Sequence, residues 1–239
     1  MRIALIGTDT DCGKTMVACA LLRAARAAGM RALPFKPAAS GAEGDQGDPE
    51  RLTRAARLAG LTAEEVCPQR FVAAVAPGLA EPGGSDMVWN TWREGQAVPD
   101  GGPLTAARAV LAGLEARYAP TLTVIEGAGG LWVPMPGGTW LPAWISALRA
   151  SPVVVGRLGL GTINHTLLTI AELGRIGLPP RGFFLSETRA SDDPSRAHNE
   201  RVIAAASGLP CLGVLAFGTG EGEHGWLRPR AWERLLGLA

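Results

Sequence analysis

Short, almost wholly apolar runs alternate along this chain with longer stretches in which apolar residues recur at helical spacing. Arg2–Gly7 is apolar after its first residue and closes on glycine, which reads as a strand. Residues 13–28 carry Val17, Leu21, Leu22 and Ala25 on one face and read as a helix. Ala32–Phe35 is a second short strand, stopped by Lys36-Pro37 because a residue before proline is pushed out of the α region. A polar loop over residues 40–48 leads into a helix at 49–59, with Asp48 as N-cap and Pro49 at the first helical position. Residues 67–102 are rich in Pro and Gly and show the least regular pattern, room for a short strand or a lid. Alternation then resumes: helix at 104–118, strand at 122–125, helix at 141–150, strand at 152–155, helix at 162–176, strand at 182–185, helix at 194–206, and the strand Cys211–Leu215. Apolar strands separated by helices predict one α/β domain spanning 1–239, a parallel sheet with helices on both faces. Ligands of such sheets sit at the carboxyl ends of the strands, so the loops there are where chemistry is expected.

Charge removes several classes of partner. Lys and Arg number 23 against 22 Asp and Glu, so no global field draws the chain to nucleic acid or an anionic membrane. Charged residues break every apolar stretch before bilayer-spanning length, and the N-terminal apolar run is too short for a signal segment. Cys12, Cys19, Cys67 and Cys211 form no C-x-x-C pair and have no His at ligand spacing, which reads as reduced thiols in the cytoplasm. Within the basic set only two residues are lysines, Lys14 and Lys36. A chain that otherwise uses the wide guanidinium fork keeps a compact ammonium where the fork cannot substitute, so both positions call for a chemical reason.

Lys14 has one. Gly7-Thr8-Asp9-Thr10-Asp11-Cys12-Gly13-Lys14-Thr15 follows a strand and opens a helix, the setting of a phosphate-binding loop of the P-loop NTPase type. Backbone amides and a helix N-terminus converge on phosphate oxygens there, the Lys reaches the terminal phosphates, and the Thr hydroxyl serves Mg²⁺. The loop is one residue longer between its glycines than the strict pattern, and Thr8 stands at the usual glycine position. Cys12 reads as a residue contributing only backbone. Mg²⁺ beside phosphates needs one or two carboxylates. Glu126, closing a buried strand before Gly127-Ala128-Gly129-Gly130, and Asp48 are the candidates; a carboxylate in Glu126's position costs desolvation unless a cation meets it. Lys36 closes the second strand and is expected near Lys14, where two ammonium groups suit a reaction that gathers negative charge.

Four segments together resemble the dethiobiotin synthetase family: residues 7–15, Phe35-Lys36-Pro37-Ala38-Ala39-Ser40-Gly41, residues 125–130, and Gly159-Leu160-Gly161-Thr162-Ile163-Asn164-His165. The resemblance implies an ATP- and Mg²⁺-dependent cyclo-ligase of biotin biosynthesis. In its reaction 7,8-diaminononanoate takes up CO₂ (from bicarbonate) as a carbamate, ATP phosphorylates the carbamate, and the second amine closes the ring. Carried over by position, it puts Asp11, Cys12, Gly13, Lys14, Thr15 and Met16 on the triphosphate, with Gly127, Ala128 and Gly129 alongside, and Thr15, Asp48 and Glu126 on the metal. Lys36, Lys14 and Thr10 become the catalytic set, Ser40 lies on the substrate side, and Gly161, Thr162, Ile163 and Asn164 bind the distal carboxylate across a homodimer interface. Ser186 and Glu187 replace the Asn-Asp pair common in the family at the adenine end, and Ala216-Phe217 replaces a usual proline, which implies looser choice of nucleoside triphosphate. Two other classes share the phosphate loop. Amide-forming ligases usually carry a glutaminase domain for which this chain has no room, and switch ATPases carry a second lysine where this chain has Asp9.

Overall fold

The computed structural model describes residues 1–41, 47–94, 102–219 and 225–237. In chain order the elements are β1 (Arg2–Gly7), α1 (Lys14–Ala27), β2 (Ala32–Phe35), β3 (Ala39–Ser40), α2 (Asp48–Ala56), α3 (Ala63–Val66), β4 (Arg70–Phe71), α4 (Pro77–Ala80), α5 (Gly84–Glu94), α6 (Pro103–Tyr118), β5 (Leu122–Glu126), β6 (Pro134–Met135), β7 (Thr139–Trp140), α7 (Leu141–Ala147), β8 (Ser151–Arg157), α8 (Thr162–Arg175), β9 (Phe183–Ser186), α9 (Arg196–Ser207), β10 (Cys211–Leu215) and α10 (Ala231–Leu236). Six strands form one sheet in the order β10-β9-β8-β1-β5-β2, every pair parallel. Ala4 lies between Ile125 on one side and Pro152 on the other, and Leu5 stands opposite Glu126. The strands read as unbroken apolar runs because both faces are covered: Ile3, Leu5, Ile6, Val153, Val154 and Val155 are fully buried. Pro34 is tolerated inside β2 because β2 is an edge strand and needs no ladder donor on its outer side.

This strand order sets out the site. β1 is central and ends in the phosphate loop; β5 and β2 end on one flank of it, β8 and β9 on the other. Helix α1 packs on the sheet through Val17, Ala18, Leu21, Leu22 and Ala25, an alanine-rich face that needs little help to stay helical.

Two expectations need correction. Asp48 does not cap α2: Gly47 holds the N-cap position in extended backbone and Asp48 is the first helical residue, its side chain engaged elsewhere. Helix α2 ends at Ala56, where Arg57 takes a left-handed φ of 50°, and α7 ends at Ala147, so both are shorter than the periodicity predicts. Residues 67–102 hold the short strand expected there, β4, and also the helices α4 and α5; residues 95–101 of that stretch lie outside the described residues, as do 42–46 of the loop before α2.

The C-terminal segment shows one feature that periodicity does not reveal. After β10 the chain returns antiparallel along its edge, with the Val214 amide donating to the Trp226 carbonyl at 3.1 Å and the Arg228 amide to the Leu212 carbonyl at 2.9 Å. A Cβ on Gly213 would lie 2.6 Å from the Trp226 carbonyl oxygen, so only glycine permits this approach. The return covers part of an otherwise open sheet edge. Within the glycine-rich stretch 218–225, residues 220–224 lie outside the described residues.

Candidate active site

Between β1 and α1 the chain makes two left-handed turns, at Asp11 (φ 55°) and Gly13 (φ 95°). Such backbone turns amides inward to form an anion-binding concavity. No side chain caps α1 and no acid sits in its first turn, so its leading N–H groups are left for a ligand. Lys14 lies over the loop, donating to the Asp9 carbonyl at 3.0 Å with the Cys12 thiol 3.9 Å away. A Cβ on Gly7 would come within 2.7 Å of Lys14 Nζ, the Asp9 carbonyl and the Gly129 carbonyl, which is why the strand closes on glycine.

On the β5/β2 flank the buried charges meet. Glu126 closes β5 only 1% exposed. Its Oε1 accepts from Thr15 Oγ1 at 2.8 Å and from Lys36 Nζ at 2.6 Å. Lys36 Nζ also lies 2.9 Å from Asp48 Oδ2, so one ammonium joins two carboxylates. Burial works against the charged lysine, but Glu126 and Asp48 together outweigh it and hold its pKa above the ordinary range. Burial likewise opposes ionisation of Asp48, and the charge and hydrogen bond of Lys36 overcome it, leaving the carboxyl below its usual value. The cation that Glu126's burial demanded is therefore Lys36.

These groups open into a cavity of about 640 Å³. Of the residues named from the sequence, Thr10, Asp11, Gly13, Lys14, Thr15, Met16, Lys36, Ser40, Asp48, Glu126, Ala128 and Gly129 line it. Cys12 and Gly127 do not. Cys12 is buried beneath the loop, and Gly127 sits under it, where a Cβ would press on Leu141 at 3.0 Å and the Leu5 carbonyl at 3.2 Å. Sequence reasoning did not name Arg51, one helical turn beyond Asp48, nor the wall of small apolar residues Ala74, Val75, Ala76 and Pro77. Their only signal was Pro77 opening a helix.

The other flank differs from expectation. Ser186 is fully buried against the phosphate loop, with its Oγ unpartnered, and only Thr188 of that turn lines the cavity. Glu187 has both carboxylate oxygens engaged: Arg196 lies 2.7 Å from Oε1, and the Phe217 amide donates to Oε2 at 3.0 Å. Gly161, Thr162, Ile163 and Asn164 stand apart from the main cavity. The start of α8 meets the outer side of the phosphate loop across a small hollow shared by Thr10, Cys12, Arg157, Thr162 and His165. The Thr162 hydroxyl is paired with Thr166 at 3.3 Å, and Asn164 faces solvent.

The donors around Glu126 fit a hard divalent cation. They are all oxygen, two carboxylates and a hydroxyl, and the buried Glu126 Oε2 has no hydrogen-bond partner. Among the described residues no three or more His, Cys, Asp or Glu side chains cluster into a complete cage. An incomplete protein shell finished by water and phosphate is the pattern of Mg²⁺.

Comparison with known proteins shows the fold and the family. The family described as AAA domain matches residues 1–218. Two solved structures share the fold: the signal recognition particle 54 kDa protein of Aeropyrum pernix K1 (TM-score 0.54, 17% identity, 99% of this chain against 46% of that one) and chloroplast FtsY of Physcomitrella patens (0.53, 16%, 98% against 63%). This chain thus spans about half to two thirds of those proteins, and at such identity the likeness is one of fold. Sequence relatives are closer. The ATP-dependent dethiobiotin synthetase BioD of Anaeromyxobacter dehalogenans strain 2CP-C is 44% identical, covering 88% of this chain and 87% of its own. That of Rhodococcus erythropolis strain PR4 is 34% identical over 98% and 97%. With a phosphate loop, a buried Lys36–Glu126 pair and relatives that match nearly end to end, the chain belongs to the ATP-dependent dethiobiotin synthetase family.

Proposed function

We propose that this chain closes the ureido ring of dethiobiotin from 7,8-diaminononanoate, CO₂ and ATP with Mg²⁺, and that the single domain suffices for it. The observation that carries the reading is that the only two lysines of the chain, Lys14 and Lys36, line one cavity together with Glu126 and a phosphate loop. A carbamate is a poor electrophile until it is phosphorylated, and phosphoryl transfer is catalysed mainly by positioning and by cations at the charge that gathers. Lys14 and the amides of 11–16 bind the triphosphate. Thr15, Asp48 and Glu126 would hold Mg²⁺, which supplies further charge neutralisation at the phosphates. Thr10 and Ser40 face the carbamate end, Lys36 supplies its positive charge there, and the small apolar wall at 74–77 accommodates a hydrocarbon chain.

The distal carboxylate of the diamine is assigned to Gly161, Thr162, Ile163 and Asn164 of a second subunit. Support comes from their position: they lie off the cavity of their own chain, Asn164 is exposed, and the α8 N-terminus has no side-chain cap. The protein acts in the cytoplasm as a homodimer on this reading, without nucleic-acid or membrane partners; no helix among the described residues is long and apolar enough to cross a membrane. The test is isotopic. Incubation with Mg-ATP, the diamine and ¹³C-bicarbonate should give dethiobiotin carrying one label in its ureido carbonyl. Unlabelled product, or none, would overturn the proposal.

A further inference from the structure

The two carboxylates assigned to the metal share a partner already, Lys36. Lys36 Nζ lies 2.6 Å from Glu126 Oε1 and 2.9 Å from Asp48 Oδ2, and Thr15 Oγ1 donates to the same Glu126 oxygen. Two carboxylates, one of them almost fully buried, would repel each other and pay a large desolvation cost without a cation between them. Lys36 is itself only 4% exposed, and its backbone is fixed: its amide donates to the Val66 carbonyl at 2.8 Å and Pro37 follows. Only its four-carbon stem is free to reposition the charge.

We propose that the Lys36 ammonium is a tethered substitute cation that occupies the metal-binding oxygens until a divalent ion arrives with the nucleotide, and that this ion displaces it into the substrate side of the cavity. The inference rests on the metal assignment made above and goes beyond it, because it makes release of Lys36 conditional on metal. A monovalent ammonium and a divalent ion cannot both hold Glu126 Oε1 and Asp48 Oδ2 at contact distance, since their mutual repulsion there is strong. The divalent ion prevails once phosphate oxygens complete its shell. Nucleotide alone brings no competing cation and leaves the ammonium in place. The requirement also explains why lysine persists here in a chain that otherwise uses arginine: a planar guanidinium is too wide to stand in for a point cation.

With only two lysines, protein labelled with ¹⁵N-lysine gives two side-chain ammonium signals, assigned with a Lys14→Met variant. Addition of the β,γ-imido analogue of ATP with a chelator should shift Lys14 and leave Lys36 unmoved, and subsequent Mg²⁺ should shift Lys36. A Lys36 signal that moves with nucleotide alone, or that stays unmoved after Mg²⁺, overturns the proposal. A second measurement uses Mn²⁺ as the probe without nucleotide: Lys36→Met should bind it roughly tenfold more tightly than the wild type, as removal of a competing charge requires. Equal or weaker Mn²⁺ binding contradicts the exchange. If that variant does not fold, the wild-type spectra decide. Neither experiment contains the diamine, so failure of ring closure would remove the substrate reading while leaving this result standing.

Discussion

Helices α1 and α8 begin alike and serve differently. Each follows a strand of the same sheet, each is preceded by a left-handed glycine (φ 95° at Gly13, 91° at Gly161), and neither has a side-chain cap. At α1 the free amides face a cavity that also holds Lys14, Lys36 and Glu126. At α8 the first hydroxyl is turned inward onto Thr166, Leu160 is 82% exposed, and the polar residues left outside are Asn164 and His165. A helix start is therefore a general anion site whose use depends on the charges placed around it. The one at α1 has its cations within the chain. The one at α8 lies apart from the main cavity, beside a small hollow with Arg157 and His165, and the proposed function gives it the diamine's carboxylate.

Substitutions can separate the two. Lys14→Ala should lower ring closure about 10²–10³-fold, the usual cost of removing a principal charge stabiliser, measured as dethiobiotin formed per unit time. A loss below tenfold would place Lys14 outside the chemistry. Gly13→Ala and Gly161→Ala test the two starts directly. Both impose a left-handed alanine, roughly 1–2 kcal/mol. At Gly13, however, the new methyl would lie 2.3 Å from Ser186 Oγ, whereas at Gly161 the nearest atom is His165 Cε1 at 3.7 Å. Urea unfolding should show a distinctly larger loss for Gly13→Ala, together with loss of ATP binding; equal losses would mean that the Ser186 contact yields freely. Asn164→Ala should raise the KM for the diamine about tenfold, the value of one good hydrogen bond to a charged group, and leave that for ATP unchanged. An unchanged diamine KM removes Asn164 from carboxylate binding.

Smaller effects follow from the ion cluster. Asp48 is held below its ordinary pKa, so its contribution to stability is complete above the unfolded value of about 3.9 and is lost as pH falls through the lower folded value. Lys36 is held above its ordinary value, so its contribution is complete below about 10.4 and is lost as pH rises through the folded value. Stability should be level between those limits with respect to this pair, and Asp48→Asn should flatten the acid limb in urea midpoints taken from pH 3 to 6. An unaltered acid limb would show that Asp48 is not coupled to Lys36. Least of all, Cys12→Ala should keep most activity, since the thiol is buried and does not line the cavity; a large loss in the same dethiobiotin assay would give the thiol a role.

What the sequence revealed and concealed has a physical pattern. The six strands of the central sheet were legible because burial on both faces leaves no polar alternation to misread, and the phosphate loop because strand, glycines and helix are adjacent in the chain; the two-residue strands β3, β6 and β7 left no such signal. Glu126 was legible through the cost of burying it. What depends on distant partners was not. Asp48 reads locally as a cap, but Lys36 takes its side chain and Gly47 takes the position. Glu187 is placed at the adenine end only by resemblance, and nothing local in the sequence reveals that Arg196 on α9 and the Phe217 amide after β10 engage both its oxygens. The return of residues 226–228 along β10 required knowing that Gly213 leaves room for a carbonyl.

The central claim is that the phosphate loop and the two lysines serve ring closure of a diamine rather than a nucleotide switch. Phosphate release from Mg-ATP and bicarbonate, measured with and without 7,8-diaminononanoate while dethiobiotin is followed by mass, tests it most directly. Phosphate and product that appear together and only with the diamine are the predicted result. Phosphate released at the same rate without the diamine would contradict the claim.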